Sequence, residues 1–159
     1  MDVKIEKVRP DNRCLADMAA VYQRAYKGLE KYAFKHKKSI SGYLKWLRKR
    51  TPEGFIVARA GDRLVGFVVV DPSWLTYDGQ VVGEIHELAV DPEFQGQGLG
   101  KGLLLSGLEL LRSRGTVQYE LWVGEENYHA QSLYLRLGFE KKAKWYHWVR
   151  MIKTDKPAG

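Results

Sequence analysis

The sequence predicts a single-domain mixed α/β fold, a mixed and mostly antiparallel central sheet with helices on both faces. Three observations lead there. Short runs of strand character alternate with longer stretches whose apolar residues recur every three or four positions. Three strand-like runs follow one another with no helix between them, and only then do helix and strand alternate, a pattern that needs a mixed sheet. The chain has 159 residues, 45% hydrophobic and 28% charged, which suits one domain with one substantial core.

Taken in order, Val3–Arg9 is a strand, ended by Pro10 and Asp11. Asp11 can cap a helix to about Tyr26, with Leu15, Met18, Ala19 and Tyr22 on one stripe. Ser39–Lys49 repeats that spacing with Ile40, Tyr43, Leu44 and Leu47. Phe55–Ala60 and Leu64–Asp71 flank Gly61-Asp62 as a hairpin, which Pro72 is expected to close. Val81–Val90 is a fourth strand, and a glycine-rich loop leads into a helix from about Gly98 to Arg114, ended by Gly115. Val117–Val123 is a fifth strand, Asn127–Leu137 a short helix, Phe139–Lys142 a short extra strand and Trp145–Lys153 a late strand. Residues 1–153 form the expected domain and 154–159 a tail.

Lys and Arg total 26 against 19 acids, a net charge of +7, which favours an anionic partner: nucleic acid, acidic lipid or a phosphorylated small molecule. Cys14 is the only cysteine, so intramolecular disulfides and cysteine zinc sites are excluded. It falls on the apolar stripe of the first helix and reads as core. The histidines, at 36, 86, 129 and 147, have no metal-ligand spacing, and His86-Glu87 lacks the second histidine of a zinc-protease motif. No metal is expected. The first residues, MDVKIEKVRPD, lack the apolar run of a signal peptide, and the longest apolar stretch, near Val65–Val70, is far below the ~20 residues that span a bilayer. The expectation is a cytoplasmic protein with no membrane partner.

Gln95-Gly96-Gln97-Gly98-Leu99-Gly100-Lys101 joins the fourth strand to the next helix. Alternating glycines let successive amides face one anion, the helix N-terminus adds its dipole and Lys101 a full charge. A pyrophosphate suits such a cradle. The dinucleotide fingerprint fails because Lys stands at 101, and the P-loop fails because Gln95 and Gly102 occupy its glycine and hydroxyl positions. Glycines that only shape a tight turn would give the same string.

The run Leu-Ala-Val-Asp-Pro followed by Gln95-Gly96-Gln97-Gly98-Leu99-Gly100 resembles motif A of the Gcn5-related N-acetyltransferase superfamily, Q/R-x-x-G-x-G/A. Asn127, Ala130, Leu133, Tyr134 and Leu137-Gly138-Phe139 resemble its motif B. The resemblance implies a sheet whose fourth and fifth strands splay apart, acetyl-coenzyme A as cosubstrate and an amine as acceptor. It implies that the amides of Gln95, Gly96, Gln97, Gly98, Leu99, Gly100 and Lys101 hold the pyrophosphate. Leu88, Ala89 and Val90 would pair with the pantetheine arm as an added strand, and Asn127 would bind the cofactor or cap its helix. A homodimer stays open.

Acetyl transfer to an amine needs a proton acceptor and a donor for the departing thiolate. Tyr134 matches the family's donor; packing on the sheet would equally explain an aromatic there. Glu84 matches the position of the acceptor in several family branches, with His86 next and Glu87 third, and polar rim residues would account for all three. Strand alternation puts Glu84 and His86 on one face and Glu87 on the other. A fifth-strand base found in other members is replaced by Trp122. The basic stretches Lys35–Lys38 and Arg48–Arg50 rim the expected acceptor side. The reaction implied is direct attack of the amine. The other reading is a binding module of the same fold, with acetyl-coenzyme A as a structural ligand and a protein or nucleic-acid partner; Tyr134 and the intact motif A argue against it, so nucleic acid is disfavoured.

Overall fold

The computed structural model describes residues 2–155. Its order is β1 (Val3–Val8), α1 (Asn12–Ala25), α2 (Lys37–Arg50), β2 (Phe55–Ala60), β3 (Arg63–Leu75), β4 (Val81–Val90), α3 (Leu99–Ser113), β5 (Gln118–Gly124), α4 (Tyr128–Arg136), β6 (Glu140–Trp145) and β7 (Trp148–Thr154), with short 3-10 turns at Glu30–Tyr32 and Pro92–Phe94. The strands form one seven-stranded sheet in the order β1-β2-β3-β4-β5-β7-β6, antiparallel throughout except for β4 beside β5.

Alternation along β2 and β3 divides the core in two. Phe55, Val57, Phe67 and Val69 pack on α1 and α2 with Met18, Ile40, Leu44 and Leu47. Ile56, Ala58, Val68 and Val70 face α3 with Leu103, Leu104, Leu108 and Leu111. These side chains are almost fully buried, and all but Ala58 contribute roughly 1.5–3 kcal/mol each relative to exposure. Helices on both faces are therefore observed. The Asp11 carboxylate caps α1 by accepting from the Cys14 amide at 2.8 Å, and Cys14 is buried in the α1–α2 core.

Three expectations need correction. Pro72 does not end its strand: β3 continues to Leu75, and Pro72 falls where the β3–β4 register shifts between Asp71 and Trp74, so its missing N–H interrupts no regular ladder. Trp145 does not begin the late strand. It ends β6 opposite Trp148, and Tyr146-His147 turn between them, with Tyr146 at a left-handed φ of 55°. The tail does not begin at 154: Thr154 pairs with Gln118, and Asp155 bonds the Val117 carbonyl and the Tyr119 hydroxyl. The remainder of that segment, 156–159, lies outside the described residues.

Candidate active site

β4 and β5 pair only at Gly83–Tyr119 and Glu84–Glu120. From Ile85 to Val90, β4 stays bonded to β3 and has no strand partner on its other edge among the described residues. The strands diverge into a cleft of about 1690 Å³, more than the ~300–1,000 Å³ of a typical small-ligand pocket. At its outer end the α1–α2 linker crosses β5: the Tyr32 ring lies where a Cβ on Gly124 would stand, at 2.5 Å, and the Tyr32 hydroxyl accepts from the Glu126 amide at 2.9 Å.

The glycine-rich loop bounds the opposite end. Asp91 anchors it through its amide to the Val65 carbonyl and its buried carboxylate to Arg24 and Arg63. The Gln95 side-chain amide donates to the Val90 carbonyl at 3.1 Å. Gly96 and Gly98 take φ of 79° and 80°, the left-handed region that glycine tolerates, and Gly98 is the N-cap of α3. Amides 96–101 donate to no protein carbonyl among the described residues; the first closed bond is Gly102 to Gly98 at 3.0 Å. Of the residues expected to hold a cofactor, Leu88, Ala89, Val90, Gln95, Gly96, Gly98, Leu99, Gly100, Lys101, Asn127 and Tyr134 all line the cleft, and only Gln97 does not.

The expected split of the β4 side chains is not found. The register passes from Val69–Glu87 to Val70–Ile85, so His86 is an extra, bulged residue. A bulge resets the alternation, and His86 and Glu87 both meet α2: the His86 ring lies 5.8 Å from Trp46, and Glu87 accepts from the Tyr43 hydroxyl at 2.9 Å. The hydroxyl of Tyr26, the C-cap of α1, bonds the other Glu87 oxygen at 2.6 Å. Glu84, His86 and Glu87 all line the one cleft.

Their environments set them apart. Burial pushes the Glu87 carboxyl up, and hydrogen bonds from Tyr26, Tyr43 and the Leu88 amide pull it back, leaving it at about 7. Burial and the neighbouring Glu120 hold Glu84 protonated, well above the ordinary range. Glu84 Oε1 and Glu120 Oε2 are the buried side-chain atoms without a partner among the described residues, and their residues are register partners across β4 and β5. Arg150 balances the remaining charge, pairing with Glu120 and, bidentately at 3.2 and 3.3 Å, with Asp78. His86 Nε2 lies 3.1 Å from Asp71; burial raises that carboxyl, but contacts from His86, Arg50 and the Ser73 amide outweigh it and hold it at about 2.

Tyr134 projects from α4 toward the same cleft, 7% exposed, with its ring 5.9 Å from Phe139. Burial, then the Glu87 charge, keeps its phenol protonated. Asn127 is the N-cap of α4, accepting from the Ala130 amide at 3.4 Å.

Residues 15–139 match the acetyltransferase (GNAT) family. The chain belongs to that family. It is 44% identical over 140 residues to an uncharacterized N-acetyltransferase of Methanocaldococcus jannaschii, a match that covers 87% of this chain and 62% of the relative, so the chain spans about three-fifths of that protein's length. The crystal structure of PH1933 from Pyrococcus horikoshii superposes with a TM-score of 0.90 at 43% identity, covering 98% of this chain and 100% of that one. A PaiA N-acetyltransferase from Thermoplasma acidophilum, solved in complex with coenzyme A, shares the fold with a TM-score of 0.78 at 21% identity, over 97% and 99% of the two chains.

Several groups that line this GNAT domain's cleft, or that lie behind the residues lining it, were not singled out as site residues from the sequence. Tyr26 and Tyr43 read as ordinary helix positions, and Asp71, Glu120 and Arg150 as ordinary strand positions. Tyr43 carried a signal, because it places a hydroxyl on the apolar stripe of α2, where a buried partner is required. The carboxylates on β3 and β5 carried another. Each sits in an otherwise apolar strand, and a buried charge needs a counterpart.

Proposed function

We propose that this GNAT chain is an enzyme that transfers an acetyl group from acetyl-coenzyme A to a primary amine by direct attack. The observation that carries it is the free β4 edge running into a loop whose amides 96–101 are unpaired at the N-terminus of α3. That arrangement fits the two ends of the cofactor: strand-like amides in the pantetheine arm and a pyrophosphate at a helix N-terminus. That a PaiA N-acetyltransferase of the same fold was solved in complex with coenzyme A supports the choice of cofactor. Acetyl-coenzyme A supplies an acetyl group activated as a thioester.

The residues then divide the proton work. An ammonium with a reference pKa near 10.4 must lose a proton before it attacks. Glu84, favoured from the sequence, already holds a proton against Glu120 and is a poor acceptor at neutral pH. Glu87 takes that role, since its carboxyl sits at about 7, lines the cleft and adjoins Leu88 on the cofactor edge. Tyr134 donates to the leaving thiolate, and the amide of Leu88 or Val90 polarises the acetyl carbonyl. An acyl-enzyme is not part of this route, because Cys14 is buried in the α1–α2 core and does not line the cleft.

Coenzyme A release across a panel of amines tests the activity, and melting with acetyl-coenzyme A tests the cofactor. Saturating cofactor should raise the melting temperature, since it binds only the folded state. No shift together with no release would overturn the proposal, and salt-dependent nucleic-acid binding without turnover would favour the binding-module reading.

A further inference from the structure

We infer that the acceptor half of the cleft is shaped for a primary amine borne on an aromatic or large aliphatic group, without a second positive charge near it. The inference rests on the acetyl-transfer reading above and specifies its substrate class. Around the Glu84–Glu87 segment of β4 stands a ring of aromatic side chains drawn from five parts of the fold. The α1–α2 linker supplies Phe34, α2 supplies Tyr43 and Trp46, β3 supplies Trp74, the β3–β4 loop supplies Tyr77 and β5 supplies Trp122. They pack in three pairs: Phe34 on Tyr43 at 5.1 Å, Trp46 on Trp74 at 6.1 Å and Tyr77 on Trp122 at 6.3 Å. Trp46 is 46% exposed and Tyr77 73% exposed, so the wall offers uncovered apolar surface to whatever enters.

An aromatic wall alone does not choose between an apolar group and a cation, because ring faces attract both. Here the charges decide. The Arg50 guanidinium already lies 5.4 Å from the Trp74 ring centre, and Arg150 lies 4.8 Å from that of Tyr77. A second ammonium would find those ring positions taken and would meet like charge beside them. The nearby carboxylates are also engaged: Asp71 pairs with Arg50, and Asp78 and Glu120 pair with Arg150. Lys27, Lys31 and Lys144 stand along the cleft; Lys31 and Lys144 are paired with Glu126 and Glu125, and Lys27 adds positive charge against an entering polycation. Of the acidic groups lining the cleft, Glu84 holds a proton, and Glu87 beside the cofactor edge is left for the reacting nitrogen. One amine end is served by a carboxyl, and the rest of the molecule by rings.

The same chemistry could come from a free arylalkylamine or from the first residue of a peptide, and separate arms distinguish them. With acetyl-coenzyme A in excess, kcat/KM is measured for 2-phenylethylamine, a tetrapeptide beginning with phenylalanine, ethanolamine and spermidine. At least one aromatic acceptor should exceed ethanolamine and spermidine by about tenfold, and the better of the two identifies the source. Trp46→Ala, at a half-exposed position that the fold tolerates, should shrink the ratio of the preferred aromatic acceptor to ethanolamine several-fold, and Trp46→Phe should restore most of it. Preference for spermidine, or a ratio that Trp46→Ala leaves unchanged, overturns the inference. A melting temperature raised by acetyl-coenzyme A with neither aromatic acceptor acetylated overturns it while leaving the cofactor reading in place. No shift and no turnover overturn both.

Discussion

Glu87→Gln should alter how stability depends on pH, and the size of the effect follows from the site. The carboxyl is 8% exposed, accepts from two tyrosine hydroxyls and moves from an ordinary 4.5 to about 7. Because the folded value is raised, both states are protonated below about 4.5 and the group costs nothing. Between 4.5 and 7 the unfolded chain ionises first, so stability falls as pH rises, and above 7 the loss is complete. At 1.36 kcal/mol per pH unit the loss is about 3 kcal/mol. Glutamine never ionises, and the hydroxyls of Tyr26 and Tyr43 can reverse a hydrogen bond to meet its amide. The stability of the variant relative to the parent should therefore rise by about 3 kcal/mol from pH 4 to pH 8, roughly 6–12 °C in melting temperature for a domain of this size. Parallel melting curves across that range would refute the argument, because the groups that feel the Glu87 charge, Tyr22, Tyr26, Tyr43 and Tyr134, titrate above it. Kinetically, kcat/KM for the amine should rise with an apparent pKa near 7 in the parent and fall roughly 10²–10⁴-fold in the variant. A larger loss in Glu84→Gln than in Glu87→Gln would return the acceptor role to Glu84.

Tyr134→Phe should lower kcat by roughly 10²-fold or more while leaving acetyl-coenzyme A affinity nearly intact, measured by turnover and calorimetric titration. Gly98→Asp should abolish the heat of cofactor binding, because it sets a carboxylate among the free amides of the loop. At a φ of 80° any side chain also costs roughly 1–2 kcal/mol, so circular dichroism should show a folded but less stable protein. Micromolar affinity retained in that variant would mean that the loop is only a turn. Arg150→Met should cost about 3–5 kcal/mol in urea melts, since it strands Glu120 and releases Asp78. A smaller loss would indicate that Glu120 does not depend on Arg150 for its stabilisation.

The elements were largely legible because each has a local cause. Gly61 at the β2–β3 turn, Asp11 before α1 and the loop glycines before α3 act within a few residues of themselves, and the structure puts boundaries close to those signals. Where a boundary moved, a pairing partner overrode the local signal. Pro72 reads as a strand stop, yet Trp74 and Leu75 find Val82 and Val81 across the sheet. Tyr146-His147 carries none of the glycine or asparagine that marks a hairpin, so β6 and β7 divide at a position that the sequence leaves plain.

The proton chemistry was legible in residue type but not in assignment, and one inserted residue accounts for much of the difference. Period-two alternation places Glu84 with His86 and against Glu87 only in an unbroken strand. The bulge at His86 is invisible in Gly83-Glu84-Ile85-His86-Glu87-Leu88, because it arises from how β4 registers on β3. Once Glu87 turns into the cleft, its character is set by Tyr26 and Tyr43, which are distant in sequence and reach it from two helices. Glu84 is likewise raised by burial and by Glu120, with Arg150 pulling the other way, on strands that follow it. Two like carboxyls on one strand are thus driven to different resting states, one holding a proton and one poised to exchange it. A chemical role that depends on that difference belongs to the packing of α1, α2, β5 and β7 around β4, and a motif confined to β4 cannot carry it.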